Sequence, residues 1–501
     1  AMPRQSSKSS TSLQGRNLLS REQGPSSGGH QRGHQGTQHP HRLLLGYPAP
    51  YGVGMSSLGF LTLHREVSGR PGWGVERVFL PDAPGSEGAP IRLRAWESQD
   101  PVGSFTALGV SVAHELELGS LIRLLEGLGL PPRRTDREEG EPVVVLGGPL
   151  TMVNPRLLAP FADLVVVGEG DEAIHSLCDA IEEGHVTREH GPDRLTPSEG
   201  FWWPHLGSPP PEPACADASR LPAFSERWSP DAELSNMVLV EVARGCRHAC
   251  SFCCSSRLAQ GPCRLLPADR ILAAVPEAAP RVGLVGTAVS DHPELAQILT
   301  SLVGSGRGVG VSSVRADRLD EPLIELLQKG GLRTLTLGVD GASERLRREV
   351  HKGITAEDLL RAADLAAAAG LRRLKLYQLV GLPGETDEDL EEFARLAAEL
   401  SGRAPLTITL TPFVPKPHTP LCDAEQLPLR EVQRRLRRLS ARLGAFARVR
   451  PDSARWASIE AILSRGDELT AEAVLEAELS GGRFSDYRRA LSPFSPRRGA
   501  V

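Results

Sequence analysis

EVARGCRHACSFCC, residues 241–254, sets four cysteines within nine positions of a chain that holds only 8 in 501 residues. Cys246, Cys250 and Cys253 follow the spacing C-x3-C-x2-C, and Cys254 is adjacent. The run MVLVEVA just before them is apolar and rich in valine, which predicts a buried strand with the cysteines in the loop after it. A structural zinc site takes four ligands, usually as two separated pairs, so zinc here would need Cys254 or Cys263 as the fourth. Three thiolates instead suit a [4Fe–4S] cluster with one iron left open to chelation. An extracellular disulfide framework would be shorter and denser in cysteine.

The surrounding chain alternates strands and helices. From Asn236 the apolar runs MVLVEVA, RVGLVG, GVGVSSV, TLTLGVD, LKLYQLV and LTITLTPF alternate with helical patterns such as EPLIELLQKGG and DEDLEEFARLAAEL. Six such units over residues 236–449 predict a partial (β/α)6 TIM-like barrel, with the cysteine loop at the carboxyl end of its first strand. Residues 42–190 show a second α/β pattern. LLLGYP, VERVFLP, ALGVSVAHE and PVVVLGGP read as strands and LGSLIRLLEGLGL as a helix, which predicts a Rossmann-like parallel-sheet domain. Its glycine turns GGP and GEG fall after strands, where open parallel sheets bind ligands. Residues 1–41 carry His30, His34, His39 and His41 among Ser, Gln and Gly, and read as a disordered tail. The proline-rich residues 191–235 read as a linker, and residues 450–501 as a helical C-terminal segment, either a lid or a support for the barrel.

Composition narrows the partners. The net charge is −5 and aromatic residues are 4% of the chain, so there is neither a global basic field nor a stock of base-stacking platforms for nucleic acid. The arginines of LPLREVQRRLRRLSARLGAFARVR fit the exposed face of an amphipathic helix. The polar start AMPRQSSKSSTS has no apolar core of a secretory signal, and no run of about 18 apolar residues suggests a membrane span. A reducing cytoplasm is the expected location.

With its aromatic Phe252 just before the third cysteine and a barrel pattern behind it, the cysteine loop resembles that of the radical S-adenosylmethionine (radical SAM) superfamily. The resemblance implies a [4Fe–4S] cluster on Cys246, Cys250 and Cys253. It also implies reductive cleavage of SAM to a 5′-deoxyadenosyl radical, with a one-electron donor such as a flavodoxin or ferredoxin. Further matches run down the chain in the family's order. Gly286 and Thr287 stand where the family holds the methionine amino group. Ser313 and Arg315 could reach the ribose or carboxylate, and Ser343 and Lys352 offer polar contacts. Asp340 stands where relatives often carry Glu. Gly381, Leu382 and Gly384 would admit the adenine, whose edge could pair with backbone near Phe413 and Val414.

Residues 143–174, VVVLGGPLTMVNPRLLAPFADLVVVGEGDEAI, resemble the cobalamin-binding domain fused ahead of such barrels. This implies contacts from Gly147, Gly148, Pro149, Gly168 and Gly170. The turn YPAPYGVGMSSLG lacks the D-x-H-x-x-G histidine, and His64 lies further on, so cobalamin would bind without histidine ligation. The implied reaction is methyl transfer or radical rearrangement on a small-molecule or peptide substrate. Two alternatives stand beside it. One is a radical SAM enzyme without cobalamin acting on RNA, like a methylthiotransferase; the other is a non-catalytic cobalamin or redox sensor.

Overall fold

The structure is a computed structural model that describes residues 17–24, 39–82, 92–186, 195–255 and 262–495. The chain divides into two compact units, one of residues 1–238 with 467–483, the other of residues 239–466 with 484–501. Both are mixed α/β structures built on parallel sheets.

In the first unit, β1 (His41–Pro50) buries Arg42 to Pro48 without a break, as a strand covered on both faces must. It lies parallel to β2 (Trp73–Leu80) and to β3 (Ala107–Ser111). Parallel pairing continues through β4 (Val143–Gly147) to β5 (Leu164–Val166), and β6 (Phe201–Trp202) closes the edge antiparallel. The strand order β2-β1-β3-β4-β5-β6 reverses direction between β1 and β3. Such a reversal opens a crevice at the carboxyl ends of the two strands.

Three boundary expectations are corrected here. The segment expected as a linker is part of this unit: β6 belongs to the sheet, and Trp202, Trp203 and Trp228 are buried. It holds its place because Ala214 bonds the stretch just after β5, its N–H to the Val167 carbonyl and its carbonyl to the Glu169 N–H, both at 2.9 Å. The expected tail lies partly outside the described residues, but Gln23 bridges Trp228 and Glu22 pairs at 3.0 Å with the fully buried Arg77. His41 stacks on Trp73. The helix Glu468–Leu479, expected on the barrel, belongs to this unit. It packs on the helix Glu117–Leu128, with Arg123–Glu478, Arg133–Glu472 and Arg156–Glu468 bridges of 2.6–2.9 Å. Its Glu468, Glu472 and Glu478 meet arginines of this unit, and those pairs fix where it packs.

The second unit carries all six expected strands. A three-stranded sheet has the order β11-β10-β7, where β7 is Val238–Glu241, β10 Arg281–Val285 and β11 Gly308–Val311. The short pair β8 (Ala243–Arg244) and β9 (Arg264–Leu265) lies between β7 and β10 in sequence. A four-stranded parallel sheet follows in chain order: β12 (Thr334–Gly338), β13 (Arg373–Val380), β14 (Leu406–Pro412) and β15 (Ala447–Pro451). A Val314–Leu337 bridge joins the two sheets. β15 was not expected: ARVRP reads as the tail of the basic helix, but that helix, Leu429–Leu443, stops at Gly444. β15 then pairs along β14 in register, Thr407 with Arg448 and Thr409 with Arg450. Among the described residues no helix is long and apolar enough to cross a membrane.

Candidate active site

The cysteine loop leaves the end of β7, and every other segment singled out for cofactor contact leaves the same end of its own strand. Gly286 and Thr287 follow β10, Ser313 and Arg315 follow β11, and Ser343 and Lys352 lie beyond β12. Gly381 and Leu382 follow β13, and Phe413 and Val414 follow β14. Parallel strands bring loops that are distant in sequence to one edge.

All eight cysteines are unbridged. Cys250 is buried; Cys246 and Cys253 are half-buried. Burial pushes the Cys246 and Cys250 thiols up, and at Cys250 the nearby Lys352 and Arg315 act against it. Those two cations favour the thiolate that a cluster needs. Among the described residues no three His, Cys, Asp or Glu side chains converge as a single metal ion requires. Three thiols set by C-x3-C-x2-C in one loop are a donor set that fits a [4Fe–4S] cluster with one iron left open.

The walls beside the loop are built by three devices. Val350, Leu382 and Phe413 form an apolar cluster, against which Phe252 and Leu379 pack. This unites three of the expected residues, Phe252, Leu382 and Phe413, around one water-poor patch. Second, Arg315, nearly buried, bonds Asp317 through Nε at 3.0 Å and the Lys352 carbonyl through Nη2 at 2.9 Å. Lys352 Nζ donates to Asp340 Oδ2 at 2.7 Å, so the two expected cations are tied to each other and to the loop after β12. Third, the fully buried Arg347 braces that loop, donating to the Ile354 carbonyl at 2.6 Å and the Gly341 carbonyl at 3.1 Å. Asp340 and His351 are held at positive φ, 63° and 55°. Such backbone strain in non-glycine residues persists only where the surroundings over-determine it.

Some expected residues do other work. Ser343 is buried and caps the helix Glu344–Glu349, donating its hydroxyl to Asp389 and accepting from Leu346 N–H. Its hydrogen-bonding capacity is thus engaged within the fold. The Gly381 N–H donates at 2.9 Å to Glu385, whose carboxylate also takes Arg435 at 2.8 Å. Gly286 packs against Val242, where an added Cβ would sit 3.2 Å from Val242 Cγ2. Thr287 is exposed, and Ser313 and Val414 are half-buried.

Sequence reasoning missed Asp291. Its carboxylate, buried after β10, takes His248 Nε2 and, at 3.2 Å, Arg247 Nε from the cysteine loop and Arg318 from the segment after β11. Burial lowers the His248 pKa, with the neighbouring Arg315 adding to the effect. The stretch VSDHPEL carries no spacing that distinguishes this aspartate from a surface turn. Ser251, with His351 Nδ1 2.8 Å from its Oγ, and the Ser251 N–H to Val350 carbonyl bond (2.9 Å) fasten the loop from its other side.

Two of the residues expected to contact cobalamin are packed by the chain itself. Gly168, at φ 109°, meets the backbone of Ala214: an added Cβ would lie 2.3 Å from its nitrogen. At Gly148 a Cβ would strike Ser111 Oγ and the Val112 carbonyl at 2.7 Å. Gly170 faces Leu63, Gly147 approaches Val166, and Pro149 is exposed at the start of the helix Leu150–Val153. Of the five, Gly148 and Gly168 are glycine because the chain itself comes close; Gly147 and Gly170 make ordinary contacts, and Pro149 is open to solvent. His64 is buried in the helix Leu58–Ser68, beside Ser68.

Comparison with known proteins agrees with the site. Residues 59–204 match the family described as radical SAM proteins, N-terminal, and residues 240–397 match the radical SAM superfamily. MJ0966 of Methanocaldococcus jannaschii is 27% identical over 384 residues, 74% of this chain and 80% of its own. PH0819 of Pyrococcus horikoshii, described as an uncharacterized methyltransferase, is 26% identical over 51% of this chain and 58% of its own. The structure of the cobalamin-dependent SAM radical enzyme OxsB with aqua-cobalamin is 15% identical, with a TM-score of 0.47, over 72% of this chain and 52% of its own. Both segment matches fall to one superfamily and the C-x3-C-x2-C loop lies inside the second, so this chain belongs to the radical SAM superfamily of enzymes.

Proposed function

We propose that this enzyme holds a [4Fe–4S] cluster on Cys246, Cys250 and Cys253 and cleaves SAM to start hydrogen abstraction on a substrate bound in a partial (β/α)6 barrel. The observation that carries the reading is the meeting of the cysteine loop with Arg315, Lys352 and the Val350–Leu382–Phe413 patch at one strand edge. The chain-order sequence β12-β13-β14-β15 supports the barrel. When bound, the cluster supplies the electron that breaks the SAM sulfonium bond. The chain's own part is to bind and exclude water. Arg315 and Lys352 supply positive charge for a carboxylate, Phe252 and Phe413 supply apolar surface, and the bonds to Asp291 hold the loop in place. An electron donor of the flavodoxin or ferredoxin class would reduce the cluster.

The test is anaerobic reconstitution with iron and sulfide, then SAM and dithionite, with 5′-deoxyadenosine measured. Cys246→Ser, Cys250→Ser and Cys253→Ser should each abolish its release, while Cys254→Ser and Cys263→Ser retain it. Wild-type protein that binds the cluster yet releases no 5′-deoxyadenosine would sink the proposal, as would equal release from all five variants.

Cobalamin-dependent methyl transfer is a second reading, favoured by the strand reversal between β1 and β3. Gly148 and Gly168 do not carry it, since Val112 and Ala214 already account for them. A corrin spectrum retained after desalting of the loaded protein supports this reading; complete loss of the corrin ends it. The RNA alternative loses support in the helix Leu429–Leu443, where four of the six arginines, Arg434, Arg435, Arg438 and Arg442, are paired with Glu or Asp.

A further inference from the structure

The four-stranded sheet of the second unit has two unlike faces. Register puts Leu335 and Leu337, Leu374 and Leu376, and Leu406, Ile408 and Leu410 on one face, and all of them are buried. The other face carries Lys375, Tyr377 and Leu379 of β13, Thr407, Thr409 and Thr411 of β14, of which Thr407 is buried, and Arg448 and Arg450 of β15. Tyr377 is 36% exposed in mid-sheet, where a strand interior would ordinarily be covered. Arg448 and Arg450 are exposed, and among the described residues neither has an ion-pair partner. Lys375 Nζ donates to Tyr377 Oη at 2.7 Å and sits 4.5 Å from that ring's centre. The acid at the top of this face, Asp452, already accepts from Thr411 Oγ1 at 2.6 Å.

The helix beside β15 differs in degree. Four of its six arginines, Arg434, Arg435, Arg438 and Arg442, are matched by Glu385, Asp387, Glu391 and Glu431, whereas among the described residues neither arginine of the strand has such a partner. The dimensions limit what could match them. β13 and β15 are two strands apart, about 10 Å, and Arg448 and Arg450 are spaced by about 7 Å along the strand. A patch of that size suits a compact anion, not a nucleic-acid backbone. Its place also matters. Leu379, one step above Tyr377 on this face, packs against the same Val350–Leu382–Phe413 patch as Phe252 of the cysteine loop.

We infer that this open face binds the anionic end of the substrate, a small molecule bearing two or more carboxylate or phosphate groups, held by Lys375, Arg448 and Arg450. The inference rests on the radical SAM reading for the meaning of "substrate", but the binding itself is measurable without turnover. Calorimetric titration of the reconstituted full chain, at fixed ionic strength and with SAM present, uses two probes: pyrophosphate for the phosphate source and citrate for the carboxylate source. At least one should bind saturably. Arg448→Gln/Arg450→Gln should weaken that binding by roughly tenfold or more, the loss expected when charge-assisted bonds are removed. Arg448→Lys/Arg450→Lys should recover part of it, and circular dichroism checks that both variants fold.

No saturable binding of either probe to wild type, or equal binding by wild type and the glutamine variant, overturns the inference. So does a selective loss of SAM affinity in that variant, which would assign the face to the SAM carboxylate. Saturable binding of a single-stranded RNA oligonucleotide in place of both probes overturns it too. Release of 5′-deoxyadenosine by the wild type is scored separately, so failure of the enzymatic reading is distinguishable from failure of this one.

Discussion

Replacing Gly168 by alanine tests whether the glycine turn after β5 serves the chain or a ligand. The backbone there has φ 109°, where an L-residue costs about 1–3 kcal/mol. The new Cβ would lie 2.3 Å from the nitrogen and 2.4 Å from the oxygen of Ala214. The Ala214 segment must then retreat and give up its bonds to Val167 and Glu169, each contributing about 0.5–1.5 kcal/mol. Together these come to about 2–6 kcal/mol. Gly184 is the control: its φ is 73°, but no atom lies within 4 Å of an added Cβ, so only the left-handed conformation costs, about 1–2 kcal/mol. Urea unfolding followed by tryptophan fluorescence reads the first unit, which holds Trp73, Trp96, Trp202, Trp203 and Trp228, with Trp456 alone in the second. With a slope of about 2 kcal/mol per molar, Gly168→Ala should lower the midpoint by about 1–3 M and Gly184→Ala by less than about 1 M. Equal shifts in the two variants would refute the packing argument and return Gly168 to the list of ligand contacts.

Asp291→Asn should loosen the cysteine loop, because it removes the charge that His248, Arg247 and Arg318 share, at about 1.5–3 kcal/mol per charged bond. Faster alkylation of the apo-protein's cysteines and lower iron content after reconstitution would show it. Glu22→Gln should destabilise the first unit by about 3 kcal/mol or more, since it leaves the buried Arg77 guanidinium with Glu97 alone. An unchanged thermal midpoint would mean that residues 17–24 contribute nothing to the fold. At Asp389 burial pushes the carboxyl up, but bonds from Ser343, Thr386 and Arg345 outweigh it and hold its pKa below the ordinary aspartate value. Its stabilisation is therefore full above about pH 4 and is lost as pH falls through the folded pKa. Asp389→Asn should flatten the stability profile of the second unit below about pH 4; an unaltered slope there would contradict the assignment.

Much of the site was legible because local patterns carry it. C-x3-C-x2-C after a valine-rich strand fixes three thiols in one loop, and six apolar runs alternating with helices put later loops on the same edge, by parallel strand geometry alone. Phe252, Leu382 and Phe413 could be named from their places after strands, although 130 to 160 residues separate the first from the others. What escaped was whatever depends on which partner a residue meets. Ser343 has the composition of a ligand contact and the position of a helix cap; only the arrival of Asp389 shows that its hydroxyl is engaged. Asp291 carries no periodic signal, because its importance comes from three cations converging on it from separate segments.

The same division explains the domain boundaries. Proline content read as a linker and polar content as a tail, yet the Ala214 segment bonds the stretch just after β5 and Glu22 meets Arg77, because buried backbone and buried charge must find partners wherever the chain can supply them. The GGP and GEG turns illustrate the limit best. Sequence determined that glycine was required there; whether the space belongs to a cofactor or to the chain was decided by the tertiary structure, which fills it with Ser111, Val112 and Ala214. A missing side chain reports only that something comes close, and the identity of that neighbour is a property of the packed fold.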